Sequence, residues 1–302
     1  MFLKDKKSFE IGTAISFFIL ILFVVYVFSL FEKKKETSPE VKTSEQIFEK
    51  KEDLTGLEII GRARLSYAGG TEGRNRNIEL GIERIDGVTI APGEEFSFAK
   101  ALGSIAIEDG FSEEKVFLNG EVIKGLGGGL CQVSTTLFRS VIDAGLPVTD
   151  RTNHSYTVPF YDVGLDATYA EKGPDLKFVN DTSSPITIKG RTENKTAIFE
   201  IYGIHDGRLA STTEAEISEI VNIPPTKYAY VNVLEEGQTE CINNPQIGYT
   251  SKVIYGVEYP TGEYKEQIFT SKYKPLQRVC YVVGVEGLKA FSSNLDSTFK
   301  NQ

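Results

Sequence analysis

Basic charge is in short supply in this chain. Its 33 lysines and arginines face 42 acidic residues, a net charge of -9, which argues against a general nucleic-acid binder while leaving room for one basic patch. Tryptophan is absent, and histidine occurs only twice, as His154 and His205. The three cysteines include no close-spaced Cys or His pair, so there is no ligand set on which to build a zinc site and no metal is expected. The run "GLGGGLC" lacks the Lys-Ser/Thr that grips phosphate and its metal, so it is not a phosphate loop and no cofactor is implied.

What is present points mainly to strands. The 302 residues suffice for one large domain or two ordinary ones, and Tyr, Phe, Gly and β-branched residues are plentiful. Residues 11–31, "IGTAISFFILILFVVYVFSLF", carry no charge and as a helix span roughly 30 Å, one bilayer core. The run ends in "FEKKKE" rather than a small-residue cleavage site, so an uncleaved signal-anchor is expected. Lysines on both flanks leave the positive-inside rule nearly balanced. The short N-terminal flank favours a cytoplasmic 1–10 and an extracellular remainder. Residues 32–55 read as a charged linker too poor in apolar residues to bury a core.

Globular patterning begins near Leu54. Ile78, Ile82 and Ile85 lie on one face of a helix that ends at Gly87. "VTIAPGEEFSF" reads as strand, turn, strand, and "KVFLNGEVIKG" as a hairpin about Asn119-Gly120. After Cys131 an apolar stripe of Val133, Leu137, Phe138, Val141 and Ile142 predicts a second helix, stopped at Gly145. "HSYTVPFY", "DLKFVN", "PITIKGRT" and "KTAIFEIYG" read as strands. The order predicts an α+β domain over 56–205, then a small elongated all-β module over 206–287 and a loose tail over 288–302.

Cys241 and Cys280 both fall in the β module, and Cys131 does not. The simplest partition is one disulfide and one free thiol, the alternative being two unrelated buried thiols. A disulfide staples a thin core and implies an oxidising compartment.

Cys131 opens a helix, where unpaired N–H groups and the helix dipole favour thiolate. Gly127, Gly128 and Gly129 before it permit close approach of a substrate backbone. A nucleophilic thiol needs a base and a group to orient that base. His154 stands at the head of the next predicted strand, and Asp166 follows a turn at Gly164. The competing reading is a buried, inert Cys131 with His154 and Asp166 paired only to satisfy the fold. The order Cys, His, Asp resembles the papain-like and transglutaminase-like thiol enzymes, which implies a helix beginning at the cysteine and packed on a sheet carrying the other two. The short Cys-to-His interval, Gln132 where those families often have an aromatic, and the lack of tryptophan depart from their pattern.

"RNRNIELGIERIDGVTIAPGEEFSF", "GGGLCQVSTTLF", "AGLPV", "NHS" with "GLDAT", and "DLKFVNDTSSPITI" together resemble the VanW-type proteins of Gram-positive cell envelopes, a family named from a glycopeptide-resistance cluster. That resemblance implies a peptidoglycan setting. It places Cys131, His154 and Asp166 as candidate catalytic residues, with Gly127, Gly128, Gly129, Gln132, Ser134 and Asn153 as candidate substrate-binding positions. "IPPTKYAYVNVLEEGQTE" and "YTSKVIYGVEYPTGEYKEQ" resemble the wall-associated G-five module, thought to bind amino-sugar polymers. The expected function is therefore a membrane-anchored envelope protein acting on peptidoglycan as a thiol amidase or transpeptidase, or binding it without catalysis.

Overall fold

The first helix follows from its caps and its apolar spacing. The Thr71 side chain accepts from the Arg74 amide, and α1 (Glu72–Ile85) then buries Ile78, Ile82 and Ile85 on one face. Gly87 turns the chain with a φ of +82° and donates its N–H to Ile188. The computed structural model describes residues 50, 53–118, 121–231 and 238–283.

The central sheet is antiparallel, in the order β1 (Glu58–Ser66), β9 (Thr196–Gly203), β8 (Ile186–Glu193), β2 (Thr89–Ile90). β1 alternates as a one-sided strand should, with Ala63 and Leu65 inside and Arg62 and Arg64 outside. The Cys131 helix, α3 (Leu130–Asp143), packs on β1 and β9. The approach is close. A Cβ on Gly61 would lie 2.4 Å from the Ser140 carbonyl oxygen, so only glycine fits that strand position.

The remaining elements surround this layer. A hairpin, β4 (Glu113–Leu118) and β5 (Glu121–Leu126), is present as predicted. β3 (Glu95–Ser97), leading into the short α2 (Phe98–Leu102), joins β7 (Lys177–Val179) and β6 (Val148–Asp150) in a small sheet. Further on, β14 (Gly248–Glu258) pairs along one edge with β11 (Glu216–Val221) and β10 (Leu209–Thr212), and along the other with β15 (Tyr264–Tyr273). A third sheet joins β12 (Lys227–Val231), β16 (Val279–Val283) and β13 (Thr239–Ile242). The disulfide joins Cys241 to Cys280, which sit opposite each other on β13 and β16.

All of these belong to one compact unit, Gln46–Gln302. The strands β14 and β15 share the core of α3, for Val253, Tyr255, Val257 and Phe269 are buried in one cluster with Phe138, Val141 and Leu146. Phe138 meets Phe269 edge-on at 5.3 Å, a geometry worth about 1 kcal/mol beyond the area it buries.

Two expectations are corrected. Strands make up 41% of the described residues and three helices 15%, so the molecule is mostly β and not an α+β, papain- or transglutaminase-like fold. The predicted strand "HSYTVPFY" is loop, as is the chain carrying Asp166. Pro159 withholds an N–H from any ladder, and the segment bonds elsewhere, Ser155 O accepting the Lys274 N–H just past β15 and Thr157 Oγ1 donating to the Tyr249 hydroxyl of β14. The second correction concerns the membrane. No helix among the described residues is long and apolar enough to cross one, and on that finding the expected single-pass placement with an extracellular bulk does not stand. Residues 11–31, on which it rested, lie outside the described residues, as do residues 1–10, most of the charged linker and the C-terminal tail.

Candidate functional site

α3 places Cys131, Thr135 and Arg139 four residues apart, on one face. Cys131 Sγ contacts the backbone of Tyr169, with N–H and carbonyl oxygen each at 3.5 Å. Thr135 Oγ1 exchanges 3.1 Å bonds with both backbone groups of Ala167, and Arg139 Nε donates to Leu165 O at 3.1 Å. Four helical residues rise about 6 Å, the length of two extended residues, so a helix face with this spacing can hold alternate residues of a strand-like segment. The segment 165–169 is held this way. Asp166, lying between two of the held residues, meets a different set of groups.

The Asp166 carboxylate is buried and accepts from four donors. Oδ2 takes the His154 backbone N–H and His154 Nδ1, each at 2.6 Å. Oδ1 takes the Tyr273 hydroxyl at 2.6 Å and Arg151 Nη2 at 3.2 Å. Arg151 reaches further, donating to Asp166 O, Gly164 O and Ser271 Oγ. Its guanidinium lies over Phe138 and Phe269. With Nδ1 committed to Asp166, Nε2 is the ring nitrogen left to interact with the Cys131 thiol. The ring of Tyr161 lies 5.5 Å from the imidazole.

These contacts shift the charges together. Burial works against ionisation of Cys131, but the hydrogen bond and charge of His154 outweigh it and hold the thiol below its ordinary value. Burial also opposes the charged form of His154, and the bonds to Asp166 and Cys131 overcome that to push it up to about 9. For Asp166, the bond to His154 outweighs burial and keeps the carboxyl below its usual range. The three shifts all run toward the charged forms, thiolate, imidazolium and carboxylate. Such an arrangement can attack an electrophilic carbon and return a proton to a leaving group.

The structure brings together Cys131, His154 and Asp166. Asn153 lies beside them, its amide donating to His154 O and Lys272 O. The other expected positions are engaged by the protein itself. Gln132 is buried, accepting from Arg74 and donating to Ser66 O. Ser134 is buried in the packed face of α3. Gly129 takes a φ of +112° at the helix start, and a Cβ there would meet Ile78. Cβ atoms on Gly127 and Gly128 would meet Leu130 and Glu114.

Sequence reasoning missed Arg151, Tyr273 and Tyr161. Arg151 stands three residues before His154 in the sequence. Tyr273 is over a hundred residues from Asp166, and no local pattern announces the contact.

Comparison with known proteins shows what the sequence around this site resembles. Residues 73–202 match the family model described as VanW like protein, and this stretch, which holds Cys131, His154 and Asp166, is a VanW-like domain. The chain is 34% identical over 143 residues to the Bacillus subtilis (strain 168) protein "Uncharacterized protein YoaR", covering 47% of each. It is 29% identical over 131 residues to the Enterococcus faecalis (strain ATCC 700802 / V583) "Vancomycin B-type resistance protein VanW", covering 42% of this chain and 48% of that protein. The chain thus spans about half the length of the curated relatives it matches. Among solved structures, an "IgA1 Protease G5 domain structure" aligns over 27% of this chain and 98% of its own, at 15% identity and a TM-score of 0.17.

Proposed function

We propose that the chain is a cell-envelope thiol enzyme acting on an amide or ester carbonyl of peptidoglycan, in its stem peptide or cross-bridge. The observation that carries this reading is the grouping of the free thiol of Cys131 with His154, whose Nδ1 lies 2.6 Å from Asp166 Oδ2. The envelope setting is taken from the VanW-like domain and from a relative named for vancomycin B-type resistance. The Cys241–Cys280 disulfide suits an oxidising compartment.

In the proposed reaction Cys131 Sγ bonds to the carbonyl carbon, and the oxyanion that forms is met by an amide of the first turn of α3. The C–N or C–O bond breaks, and the leaving group takes its proton from His154 Nε2. Water or an acceptor amine then attacks the thioester and gives up a proton to the same nitrogen. The carbonyl–sulfur bond breaks and Cys131 is restored. Asp166 holds the imidazole throughout.

The test is turnover of soluble wall fragments by wild type and Cys131→Ala, followed by the mass of the products. Wild type should cleave or exchange at least one fragment, and the variant should lose about a hundredfold or more of that rate. Equal activity, or equal inactivity across the panel, rejects the reading.

One observation favours a second reading, a wall-binding protein without chemistry. Cys131 occupies the same position in the α3 ladder as Thr135 and Arg139, which do structural duty there. Two concavities among the described residues lie away from Cys131. One is lined by Asp143, Ala144, His205 and Arg208 near the other end of α3, roughly 20 Å away along the helix. Iodoacetamide separates the two: a nucleophile reacts near neutral pH faster than a reference thiol, and a purely structural cysteine does not react in the native state.

A further inference from the structure

The thiol site is not closed by the VanW-like domain alone. Its loop from Arg151 to Gly164 lies along the end of β15, which is outside residues 73–202. Arg151 donates to Ser271 Oγ at 2.8 Å, Asn153 to Lys272 O at 3.1 Å, and the Lys274 N–H to Ser155 O at 2.7 Å. Tyr273 sits in the middle of this run. Its hydroxyl accepts the Gly164 N–H at 3.0 Å and donates to Asp166 Oδ1 at 2.6 Å.

The direction of these two bonds is fixed by chemistry. An amide N–H can only donate and an ionised carboxylate can only accept, so the single phenolic proton must lie toward Asp166. The Gly164 bond polarises the hydroxyl and strengthens its donation. Burial and the neighbouring Asp166 charge raise the Tyr273 pKa, so the proton stays in place at any working pH. With Oδ1 pinned by Tyr273 and Arg151, Oδ2 is left to His154. A carboxylate free to rotate would not hold the imidazole in one tautomer.

We propose that Tyr273 is a positioning residue of the thiol site, acting through Asp166, so that the strand pair β14–β15 completes the site that the Cys131 helix begins. The inference rests on the thiol reading above for its functional meaning, while its physical content is the orientation of the His154–Asp166 pair. The charged and titratable groups facing that pair are Cys131 on α3, Arg151 and Tyr161 on the loop, and Tyr273 on β15.

The experiment uses the full chain with Tyr273→Phe, Asp166→Asn, the double variant, and Tyr249→Phe as control. Tyr249 lies opposite Tyr273 on β14, its ring 5.1 Å away, and its hydroxyl takes a bond from Thr157 without touching Asp166. Two quantities are read: the rate of Cys131 alkylation by iodoacetamide as a function of pH, and the imidazole titration by proton NMR. The chain's two histidines make the second assignable. Tyr273→Phe should slow alkylation near neutral pH about threefold to tenfold and move the His154 midpoint. The same substitution should change neither quantity further in the Asp166→Asn background.

An effect that persists in the Asn background, or that Tyr249→Phe reproduces, marks a general packing role and overturns the proposal. So does an unchanged His154 midpoint in Tyr273→Phe. If wild-type Cys131 proves no more reactive than a reference thiol, the enzyme reading fails. The His154 midpoint then still decides whether Tyr273 positions the pair.

Discussion

The chain's two histidines sit in neighbourhoods of similar composition. His154 lies beside Arg151, Asp166 and Tyr273, and His205 beside Asp206, Arg208 and, through Arg208, Tyr259. In both places a buried arginine crosses an aromatic ring and holds carboxylates. The arrangements differ in who stands between whom. Asp166 is wedged between its arginine and its histidine, and that histidine in turn neighbours a free thiol. Asp206 gives both oxygens to Arg208 and Asp181 divides its own between Arg208 and the Tyr259 hydroxyl, while exposed His205 accepts a bond from the Gly207 N–H. The same residue types thus sit beside a free thiol in one place and form an arginine–carboxylate lock in the other. Connectivity and burial separate them.

The largest expected difference concerns the arginines. Arg151 and Asp166 have side-chain exposures of 4% and 3%, whereas the partners of Arg208 retain 23% and 33%. Removing one member of a fully buried pair leaves a charge that water cannot reach, at a cost of about 3 kcal/mol or more. Arg151→Met should therefore lose that much in urea unfolding, and Arg208→Met only about 1 to 2 kcal/mol because its acids rehydrate. Equal losses would remove the distinction between the two sites.

A smaller effect separates the histidines directly. An ordinary thiol near pH 7 is only a few per cent thiolate. If His154 holds Cys131 ionised, His154→Gln should slow its alkylation about tenfold, the full gain in thiolate being offset by the lower nucleophilicity of a low-pKa thiol. His205→Gln should leave the rate within experimental error. A His154 variant that alkylates as fast as wild type would break the relay.

How much of this was legible depended on range. α1, the β4–β5 hairpin and α3 were readable because Ile78, Ile82 and Ile85, the Asn-Gly turn, and the Val133-to-Ile142 stripe are local periodicities. The disulfide was readable because two of three cysteines share one region. The segment after His154 was misread, since its alternation suggested a strand while its partners, Lys274 for Ser155 and Tyr249 for Thr157, are distant in sequence. The α+β expectation came from the order of elements and failed on their proportions, since the described residues hold three helices, at 15%, against 41% strand. Helix spacing, by contrast, held an unread clue. Cys131, Thr135 and Arg139 are spaced by four, and that spacing is what binds the Asp166 segment.

The finest test turns on proton counting. His154 is pushed up to about 9, so its contribution to stability is complete below about 6.5 and is lost as pH rises through the folded value. Cys131 is lowered, so its contribution is present above the ordinary thiol value and is lost as pH falls through the folded one. Between about 6.5 and 9 one slope falls while the other rises. The native pair carries a single proton, much as the unfolded pair does, and wild-type stability should be nearly flat there. Cys131→Ala keeps only the histidine's slope. Its stability should fall by about 1 kcal/mol from near pH 6.5 upward, ending short of 9 because the thiolate that helped raise His154 is gone. Adding His154→Gln should flatten the curve again, while adding His205→Gln should leave it sloping. Urea titrations at several pH values read all four proteins, and a Cys131→Ala protein as flat as wild type would mean that no thiolate–imidazolium pair exists.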